Sequence, residues 1–257
     1  MLKYAPTDSI NAYLSWSKGY RSGNYNARTG SAQVLRTPAN PETNKSVELG
    51  VKTEWMDRRL RANLAIFHAD YTDIQRTATV LNSVPSISTL TNAGKATIKG
   101  FEFDASWLVV DSLRIDLSYG KTNASYDELL GITCPPCGDK TAPTQLDFDK
   151  LAPWTANIAV THTAQIGPGE LSTRVSYSRR PEYDTDFRNT VALRQPAFGL
   201  LDASVNYDMG PWNFAIFGRN LQNTEFVDII SLGLGYQAYG GSPRVVGASV
   251  GYAFGKD

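Results

Sequence analysis

The 257-residue chain has 25 Lys and Arg residues and 25 Asp and Glu residues, so its formal net charge is zero and it lacks the overall basic field expected for nucleic-acid binding. The longest apolar runs, such as residues 107–110, are far too short to cross a bilayer as a helix, which excludes a helical membrane protein. The 13 Tyr, 10 Phe and 5 Trp residues favour β-strands. Residues 1–6 do not resemble a secretory signal, so an exported protein is expected to begin upstream of them.

Apolar and polar residues alternate with a period of two along most of the chain. Leu14 and Trp16, for example, alternate with Tyr13, Ser15 and Ser17. Successive side chains of a strand point to opposite faces, so each repeat predicts a strand with one apolar and one mainly polar face. About ten strands of roughly ten residues are predicted, a length that suits tilted membrane strands. They lie at residues 12–21, 46–55, 60–66, 101–107, 113–119, 154–161, 171–178, 201–207, 212–216 and 246–254.

The links between these strands alternate in length. Short links lie at residues 56–59, 110–112, 167–169 and 208–211, and long links at 22–41, 76–94, 127–151, 181–196 and 222–242. This sorting is typical of an outer-membrane barrel with short periplasmic turns and long extracellular loops, whereas a Greek-key sandwich does not sort its loops by length. Counting strands up and down places both chain ends on the periplasmic side.

The large aromatic residues lie near the strand ends. Those near the short links are Trp55, Trp107, Tyr207, Trp212 and Tyr252, and those toward the long links are Tyr20, Tyr119, Trp154 and Tyr177. Two such groups predict the two interfacial girdles of a membrane barrel. A soluble β-sandwich is the alternative, but it would bury this face against a second sheet and has no reason to place tryptophans at strand ends.

Several segments resemble the barrel of TonB-dependent receptors. They are residues 12–23 (AYLSWSKGYRSG), 40–43 (NPET) leading to 48–52 (ELGVK), 92–95 (NAGK) leading to 99–103 (KGFEF), 218–221 (GRNL), and 243–244 (PR) leading through Gly247 to Phe254. No single segment is very specific, but the resemblance covers essentially the whole chain and follows the family's order and spacing.

The resemblance implies an all-β fold, an antiparallel up-and-down transmembrane β-barrel portion. Residues 1–257 would be the C-terminal part, about ten strands of 22, without the plug domain and the first strands. The intact parent would lie in the outer membrane of a Gram-negative bacterium and import a scarce, bulky nutrient. A ferric siderophore is the favoured substrate. Its expected partners are outer-membrane lipid, the TonB energy-coupling complex, the ferric chelate and the barrel-assembly machinery, with no cofactor and no nucleic acid.

Two other classes of function remain open. A self-contained small pore or adhesion barrel is the first alternative, and an outer-membrane enzyme or soluble binding module is the second, although no catalytic constellation is apparent.

An open ten-strand sheet would leave unpaired backbone edges, which hydrocarbon does not tolerate. A narrow closed barrel would need a tightly paired network for its lumen-side charges, so we prefer an incomplete barrel. These charges are Glu48, Lys52, Glu54, Arg61, Glu102, Asp104, Arg114 and Asp116.

The two cysteines, Cys134 and Cys137, lie in the longest link, on the predicted outside face. Oxidation is expected there, so we predict a disulfide that staples the loop, with a free dithiol as the alternative. The spacing also fits half a zinc site or a redox motif, but there is no second cysteine pair and neither histidine is near in sequence.

Ligand contacts are expected from the long loops, because loops on a rigid scaffold usually carry recognition. Two segments have suitable chemistry, since arginines and aromatic rings can hold an anionic ferric chelate by charge-assisted bonds and stacking. Solvated loop surface is the alternative interpretation. The candidate residues are Arg180, Tyr183, Asp184 and Arg188 in the first segment, and Tyr236 and Tyr239 in the second.

The C-terminal strand ends in aromatic residues. Outer-membrane barrels usually finish with an aromatic residue that the assembly machinery reads, so Tyr252 and Phe254 are the candidate signal. Three residues follow Phe254, which departs from the usual ending, and a plain strand end at a lipid interface is the alternative.

Overall fold

The computed structural model describes residues 1–26, 32–80, 87–130, 142–187, 189–232 and 236–255. These residues form fifteen strands, one short helix, and two single 3₁₀ turns at Pro143–Gln145 and Val191–Leu193. The helix is α1 (Ala32–Arg36). The strands are β1 (Leu2–Thr7), β2 (Ile10–Arg21), β3 (Glu42–Trp55), β4 (Leu60–Thr72), β5 (Gln75–Val80), β6 (Ile87–Asn92), β7 (Gly94–Val110), β8 (Leu113–Leu129), β9 (Trp154–Ile166), β10 (Gly169–Arg180), β11 (Phe198–Met209), β12 (Trp212–Arg219), β13 (Val227–Leu232), β14 (Tyr236–Gly240) and β15 (Val245–Tyr252).

Eleven of these strands form one antiparallel sheet in the order β1-β2-β3-β4-β7-β8-β9-β10-β11-β12-β15. Apart from β1, they are the ten predicted strands, so the up-and-down antiparallel architecture is confirmed. The remaining strands pair as two hairpins, β5 with β6 and β13 with β14, each inside a long connection. In the described residues β1 and β15 are the two edges of the sheet, and no pairing closes it.

The eleventh strand, β1, was not predicted. It is six residues long and contains Pro6, so its alternation is too brief to detect, and proline is tolerated at a sheet edge. Leu2 pairs with Leu14, midway along β2, and β1 runs from there toward the short-turn end. The prediction that both chain ends lie on the short-turn side is therefore wrong for the N-terminus.

The connections are sorted by length, as predicted. Turns of a few residues join β1 to β2, β3 to β4, β7 to β8, β9 to β10 and β11 to β12. The five long connections, residues 22–41, 73–93, 130–153, 181–197 and 220–244, all lie at the other end of the strands. Two of the tight turns place Gly167 and Gly210 in the left-handed region, at φ +59° and +54°, where a side chain would add strain.

Cross-strand pairing gathers the apolar residues on one face. Leu14 pairs with Leu49, Leu49 with Ile66, and Ile66 with Phe101. This face is exposed, since Leu49 and Ile66 keep 55% and 52% of their surface accessible. We call it the apolar band: Leu14, Trp16, Leu49, Ile66, Phe101, Leu117, Ile158, Val175, Val205, Ile216 and Val250. A continuous exposed band of this kind is the lipid-facing surface of a membrane barrel.

The strands are staggered in the manner of a barrel wall. A row of paired residues that starts at Trp55, the last residue of β3, runs through Trp107, Val160 and Val175 to Ala203 of β11. Ala203 lies six residues before the end of β11, and the row has crossed six strand steps. The sheet therefore shifts by about one residue per strand, which is the shear that tilted barrel strands require.

No helix among the described residues is long and apolar enough to cross a membrane, a finding that does not bear on crossing by strands.

Candidate ligand-facing site at the long-loop end

Among the described residues, the large buried side chains lie at the long-loop end, and within the wall of the sheet only small residues such as Gly50 and Ala159 are buried. The main buried apolar cluster is Ile74, Ala93, Ala96, Tyr126, Leu129 and Leu146, with Tyr71, Phe148 and Phe187 packed against it. A barrel wall one strand thick cannot bury large side chains, whereas loops that fold over one another can. The described parts of the five long connections accordingly form a packed unit, which we call the loop platform.

Two of the family-like segments meet at the base of this platform. The backbone N–H of Asn40 donates to Asn92 Oδ1 at 2.7 Å, and Asn92 Nδ2 donates to the carbonyls of Asn40 and Asp73 at 2.9 and 2.8 Å. Gln75 Nε2 donates to the carbonyls of Ser22 and Asn40, both at 2.9 Å. These bonds fasten the connection 22–41 to the connection 73–93.

The GRNL segment has the same role in the last connection. Asn220 is 4% exposed, and its Nδ2 donates to the carbonyls of Thr224 and Ser242 at 2.9 and 3.1 Å. Its Oδ1 accepts from the Thr224 N–H at 2.8 Å, and its own N–H donates to Asp202 Oδ1 at 2.8 Å. Asn220 has φ +48°, a conformation that asparagine tolerates better than most residues. The asparagine therefore closes the base of a loop.

An arginine joins three of the long connections. The guanidinium carbon of Arg76 lies 5.0 Å from the ring centre of Phe148, 5.6 Å from that of Tyr126 and 5.7 Å from that of Phe187. Arg76 Nη1 also lies 3.4 Å from Asp149 Oδ1. A cation stacked on aromatic rings in a partly desolvated site contributes about 2 kcal/mol or more of stabilisation.

Tyr126 lies beyond the apolar band, in the part of β8 that the platform covers. It stacks on Phe148 at 4.3 Å and is 3% exposed. Burial raises the pKa of Tyr126 to about 12, so its hydroxyl is neutral at physiological pH. Tyr126 Oη, Arg76 Nε and Gln75 Oε1 have no hydrogen-bond partner among the described residues.

The buried side chain of Asn189 joins the connection 181–197 to the connection 130–153. Asn189 is fully buried; its Oδ1 accepts from the Asp147 N–H at 2.6 Å, and its Nδ2 donates to the Asp147 carbonyl at 3.0 Å. The Lys150 N–H donates to the carbonyl of Asp184 at 2.7 Å. The connection 181–197 is in turn fastened to 220–244, because the Val227 N–H donates to Gln195 Oε1 at 2.6 Å. Each long connection is thus bonded to the next around the sheet.

The predicted ligand residues of the connection 181–197 lie in different environments. Arg180 is exposed at the end of β10. Tyr183 is half-buried and pairs with Gln195 through two backbone hydrogen bonds, whereas Asp184 is 6% exposed and lies 2.8 Å from Arg194 Nε. Tyr183, Asp184 and Arg194 line a cavity of about 270 Å³ together with Asp147, Phe148 and Leu151.

The second predicted segment is less completely described. Tyr239 lies on β14 and is 57% exposed, so its ring is accessible from outside the platform. Arg188, Cys134 and Cys137 lie outside the described residues, as does the side chain of Tyr236, so the loop disulfide and these two ligand candidates stay predictions. Among the described residues, no group of three or more His, Cys, Asp or Glu side chains is placed to hold a metal ion.

The charged residues predicted to face the lumen all lie on the face opposite the apolar band. Asp116 lies 2.8 Å from Arg114 Nε and 3.0 Å from Arg174 Nη1, and Glu54 lies 3.1 Å from Arg61 Nε. Arg114 lies on the same strand as Asp116, Arg174 lies two strands away on β10, and Arg61 lies on the strand next to that of Glu54. The inner face is therefore hydrophilic and largely open rather than densely packed.

The aromatic residues at the C-terminal end pack on the outer face of the sheet. Tyr252 lies edge-on to Trp212 with 4.8 Å between ring centres, and Phe254, 89% exposed, lies 4.8 Å from Tyr252. Their placement fits an interfacial girdle. Their role as an assembly signal stays a prediction.

A family model described as "TonB dependent receptor-like, beta-barrel" matches residues 1–223. The chain belongs to the TonB-dependent receptor family. One solved structure of similar fold is the pyoverdine outer membrane receptor FpvA of Pseudomonas aeruginosa, with a TM-score of 0.66 at 16% identity, over 98% of this chain and 35% of FpvA. The family and the solved structures described below are receptors and transporters rather than enzymes.

Solved structures share the fold of this receptor chain at low sequence identity. The ferric yersiniabactin uptake receptor FyuA of Yersinia pestis superposes with a TM-score of 0.78 at 21% identity, over 97% of this chain and 36% of FyuA. BauA, the ferric preacinetobactin receptor of Acinetobacter baumannii, gives 0.71 at 19% identity, over 97% and 35%. The copper transporter OprC gives 0.75 at 14% identity, over 98% and 38%. The chain spans about a third of the length of these proteins.

The residues that build the loop platform were only partly visible in the sequence. Asn40, Asn92 and Asn220 belong to segments that the family resemblance singled out. Arg76 and Asn189 belong to none, because their partners lie in other loops: Arg76 is 73 residues from Asp149, and Asn189 is 42 residues from Asp147.

Proposed function

We propose that this chain is the C-terminal part of an outer-membrane transporter that imports a bulky metal chelate, a ferric siderophore, with energy from the TonB complex. The observation that carries the proposal is the loop platform. Five long connections on one end of a membrane wall are fastened into one unit, which gives a large, preorganised surface on the outside of the cell. Preorganisation reduces the entropy lost on binding a ligand.

The two sheet edges support a longer barrel. The outward backbone groups of β1 and β15 have no strand partner among the described residues, and unpaired backbone groups are not tolerated in hydrocarbon. Eleven strands are half of the 22 that the family resemblance implies. We propose that preceding strands pair with both edges, and that a plug fills the lumen beside the hydrophilic inner face.

Iron chelates are the ligand class because two similar proteins are named as receptors for ferric yersiniabactin and ferric preacinetobactin. Arg180 and Tyr239 are the exposed candidates for contact with such a ligand, one as a cation and one as a stacking ring. Asp184 is instead proposed to hold Arg194 at the wall of the cavity, since a buried carboxylate needs a partner.

Ligand class is tested with the full-length receptor that contains this chain. Ferric chelates of the hydroxamate, catecholate and phenolate types, and a copper complex, are titrated against the receptor by tryptophan fluorescence, and uptake of radiolabelled iron is followed in cells. We expect one ferric chelate to bind. R180A should weaken binding at least about tenfold, since a charge-assisted bond contributes ~1.5–3 kcal/mol. Y239A should weaken binding about fivefold, since a stacking contact contributes ~1 kcal/mol. R58A, at a short turn on the opposite end, is the matched control and should bind as the unaltered receptor does.

The outcomes separate the parts of the proposal. Binding of the copper complex alone would overturn the ferric-chelate assignment, and binding without TonB-dependent uptake would overturn the transport role. The self-contained pore is tested by refolding the 257-residue chain alone in detergent. If the isolated chain shows a heat-modifiable, protease-resistant form on a semi-native gel, the sheet closes by itself and the proposed longer barrel is wrong.

A further inference from the structure

Three arginines face the interior on two strands near the C-terminal edge of the sheet. Arg174 and Arg180 lie on β10, and Arg219 is the last residue of β12. Side chains alternate along a strand, and Val175 and Ile216 belong to the apolar band, so the three arginines point to the opposite, inner face. All three side chains are exposed there. We call them the arginine track: Arg180, Arg219 and Arg174.

The register of the sheet places the three arginines at different depths of the wall. Pairing across β10, β11 and β12 puts Arg219 in the same row as Ser176 of β10. Arg180 lies four residues nearer the long-loop end than Ser176, and Arg174 lies two residues nearer the short turn. At about 3.3 Å per residue, the track extends roughly 20 Å along the strand, from the loop platform into the wall.

A cavity lies between the two lower arginines. Its volume is about 340 Å³, and its lining includes Arg174, Arg219, Ser176, Ser204 and Asp202. Serine side chains are small, so they leave room for a solute beside the wall. The inward positions of β10 above and below the cavity are also serines: Ser172 and Ser178. The wall between the arginines is therefore a polar groove.

Contacts hold both lower arginines in position. Arg174 Nη1 donates to Asp116 Oδ2 at 3.0 Å and to Thr161 Oγ1 at 2.9 Å. The guanidinium carbon of Arg219 lies 5.7 Å from the ring centre of Phe217. Arg219 makes no ion pair with a described residue, so its charge is available to a ligand in the groove.

The charges around the track favour an anion. Asp116 also lies 2.8 Å from Arg114 Nε, and Asp202 Oδ1 accepts from a backbone N–H at 2.8 Å. Both carboxylates beside the track are therefore already bonded to donors. Three inward carboxylates on β3 and β7 make no ion pair with a described residue, and they would repel an anion from that part of the wall. They are Glu48, Glu102 and Asp104.

The attraction for an anion ends before the short turns. Glu170 and Asp208 are directly paired at that end of β10 and β11, and both face inward. An anion that has passed Arg174 would be repelled by these carboxylates and not retained. Passage through a pore requires binding that is favourable enough to enter and weak enough to leave. The charge pattern of this wall therefore suits passage better than storage.

We propose that an anionic ferric chelate crosses the barrel along the arginine track, between the wall of β10–β12 and the proposed plug. This inference rests on the proposed function, since it requires that the intact receptor imports such a chelate. Arg180 is the first contact and is shared with the outer ligand surface, whereas Arg219 and Arg174 act only after the chelate has bound. The two lower arginines therefore determine the rate of transport and not the affinity of the outer site.

The test separates binding from uptake in cells that produce the full-length receptor. The probes are two radiolabelled chelates, the anionic ferric tris-catecholate and a neutral ferric tris-hydroxamate. Binding is measured in cells treated with an uncoupler, and the rate of uptake is measured in energised cells.

The variants change the charge of the track in both directions. R174Q with R219Q removes both lower charges, and R174K with R219K keeps them. S204D retains both arginines but adds a carboxylate to the cavity, so it tests the same idea if the first variant misfolds. The matched controls are K52Q, at an exposed inward lysine of β3, and D116N, which removes the anionic partner of Arg174.

We expect R174Q with R219Q to bind ferric tris-catecholate with unchanged affinity and to import it more slowly. The rate should fall at least about fivefold, because one charge beside an anion in a hydrated site contributes roughly that factor. S204D should also slow uptake without a change in affinity. The lysine variant should keep the rate of the unaltered receptor, and K52Q and D116N should not slow uptake.

Four results would overturn the proposal while the proposed function stands. The first is an unchanged rate in R174Q with R219Q and in S204D, and the second is a parallel loss of binding and uptake in both. The third is an equal slowing in D116N, which would show that the ion pair of Arg174 is only structural. The fourth is uptake of the neutral chelate alone by the unaltered receptor. If the unaltered receptor imports neither chelate, the proposed function itself fails.

Discussion

Replacement of Asn189 should open the loop platform without damage to the barrel wall. Asn189 is fully buried and makes two hydrogen bonds to the backbone of Asp147, at 2.6 and 3.0 Å. In N189G both bonds are lost, while φ +52° remains acceptable because glycine adopts left-handed conformations freely. The strand ladders do not involve Asn189, so the global melting temperature should change little.

The size of the effect follows from those two bonds. Each contributes about 1 kcal/mol net, and the backbone groups of Asp147 left unsatisfied add about 1 kcal/mol more, for roughly 3 kcal/mol. Local opening of residues 142–153 should become about 100-fold more frequent. N189A adds strain at the left-handed position, about 1 kcal/mol or a further fivefold.

Hydrogen exchange of the Asp147 amide in the full-length receptor measures this opening directly. The expected order of protection is unaltered receptor, then N189G, then N189A. N213A is the control, because Asn213 Nδ2 bonds to Asp208 Oδ1 at 2.7 Å near the opposite, short-turn end. If the Asp147 amide of N189G exchanges within about threefold of the unaltered receptor, Asn189 does not fasten the two connections and the reasoning fails.

Two further substitutions test the platform and the wall. R76L should make residues 142–150 about 30-fold more sensitive to protease, because the cation stacked on Phe148 contributes ~2 kcal/mol; R76K should fall between, and equal sensitivity of all three forms would argue against the stack. G50V should lower stability to urea by about 1–3 kcal/mol, because a Cβ at Gly50 would overlap the Tyr13 ring. G19A, where a Cβ has room, is its control, and an equal loss in both would show that the Tyr13 contact is not the cause.

The wall of the sheet was predictable because each strand repeats one simple rule. A residue of the apolar band must tolerate lipid and its neighbours must tolerate water, so the sequence alternates for the whole length of each strand. Strands without this alternation could not be predicted from the sequence. Residues 75–80 and 87–92 form a hairpin above the membrane, and their mixed polar sequence showed no period. The strand β1 is six residues long and contains Pro6, too little for the same rule.

The candidate site was less predictable because its contacts join distant loops. Asp184 was included as a ligand candidate because it lies in the segment with Arg180 and Tyr183, but the structure buries it beside Arg194. Arg76 showed no pattern in sequence, since three rings from other segments define its environment. Charge and aromatic content therefore identify the right loops without separating the residues that face a ligand from those that hold the loops.

Residues that hold the loops differ physically from residues that face a ligand. Asn92 and Asn220 satisfy backbone carbonyls at the base of a loop, and only a side chain with both a donor and an acceptor on one short stem can do so there. Such residues are confined to a few types, and motifs can mark them. Arg180 and Tyr239 are exposed, so the packing of the fold does not require their identity. The segments that identify this family are therefore the ones that say least about its ligand, and the ligand class proposed above must be tested at the exposed positions.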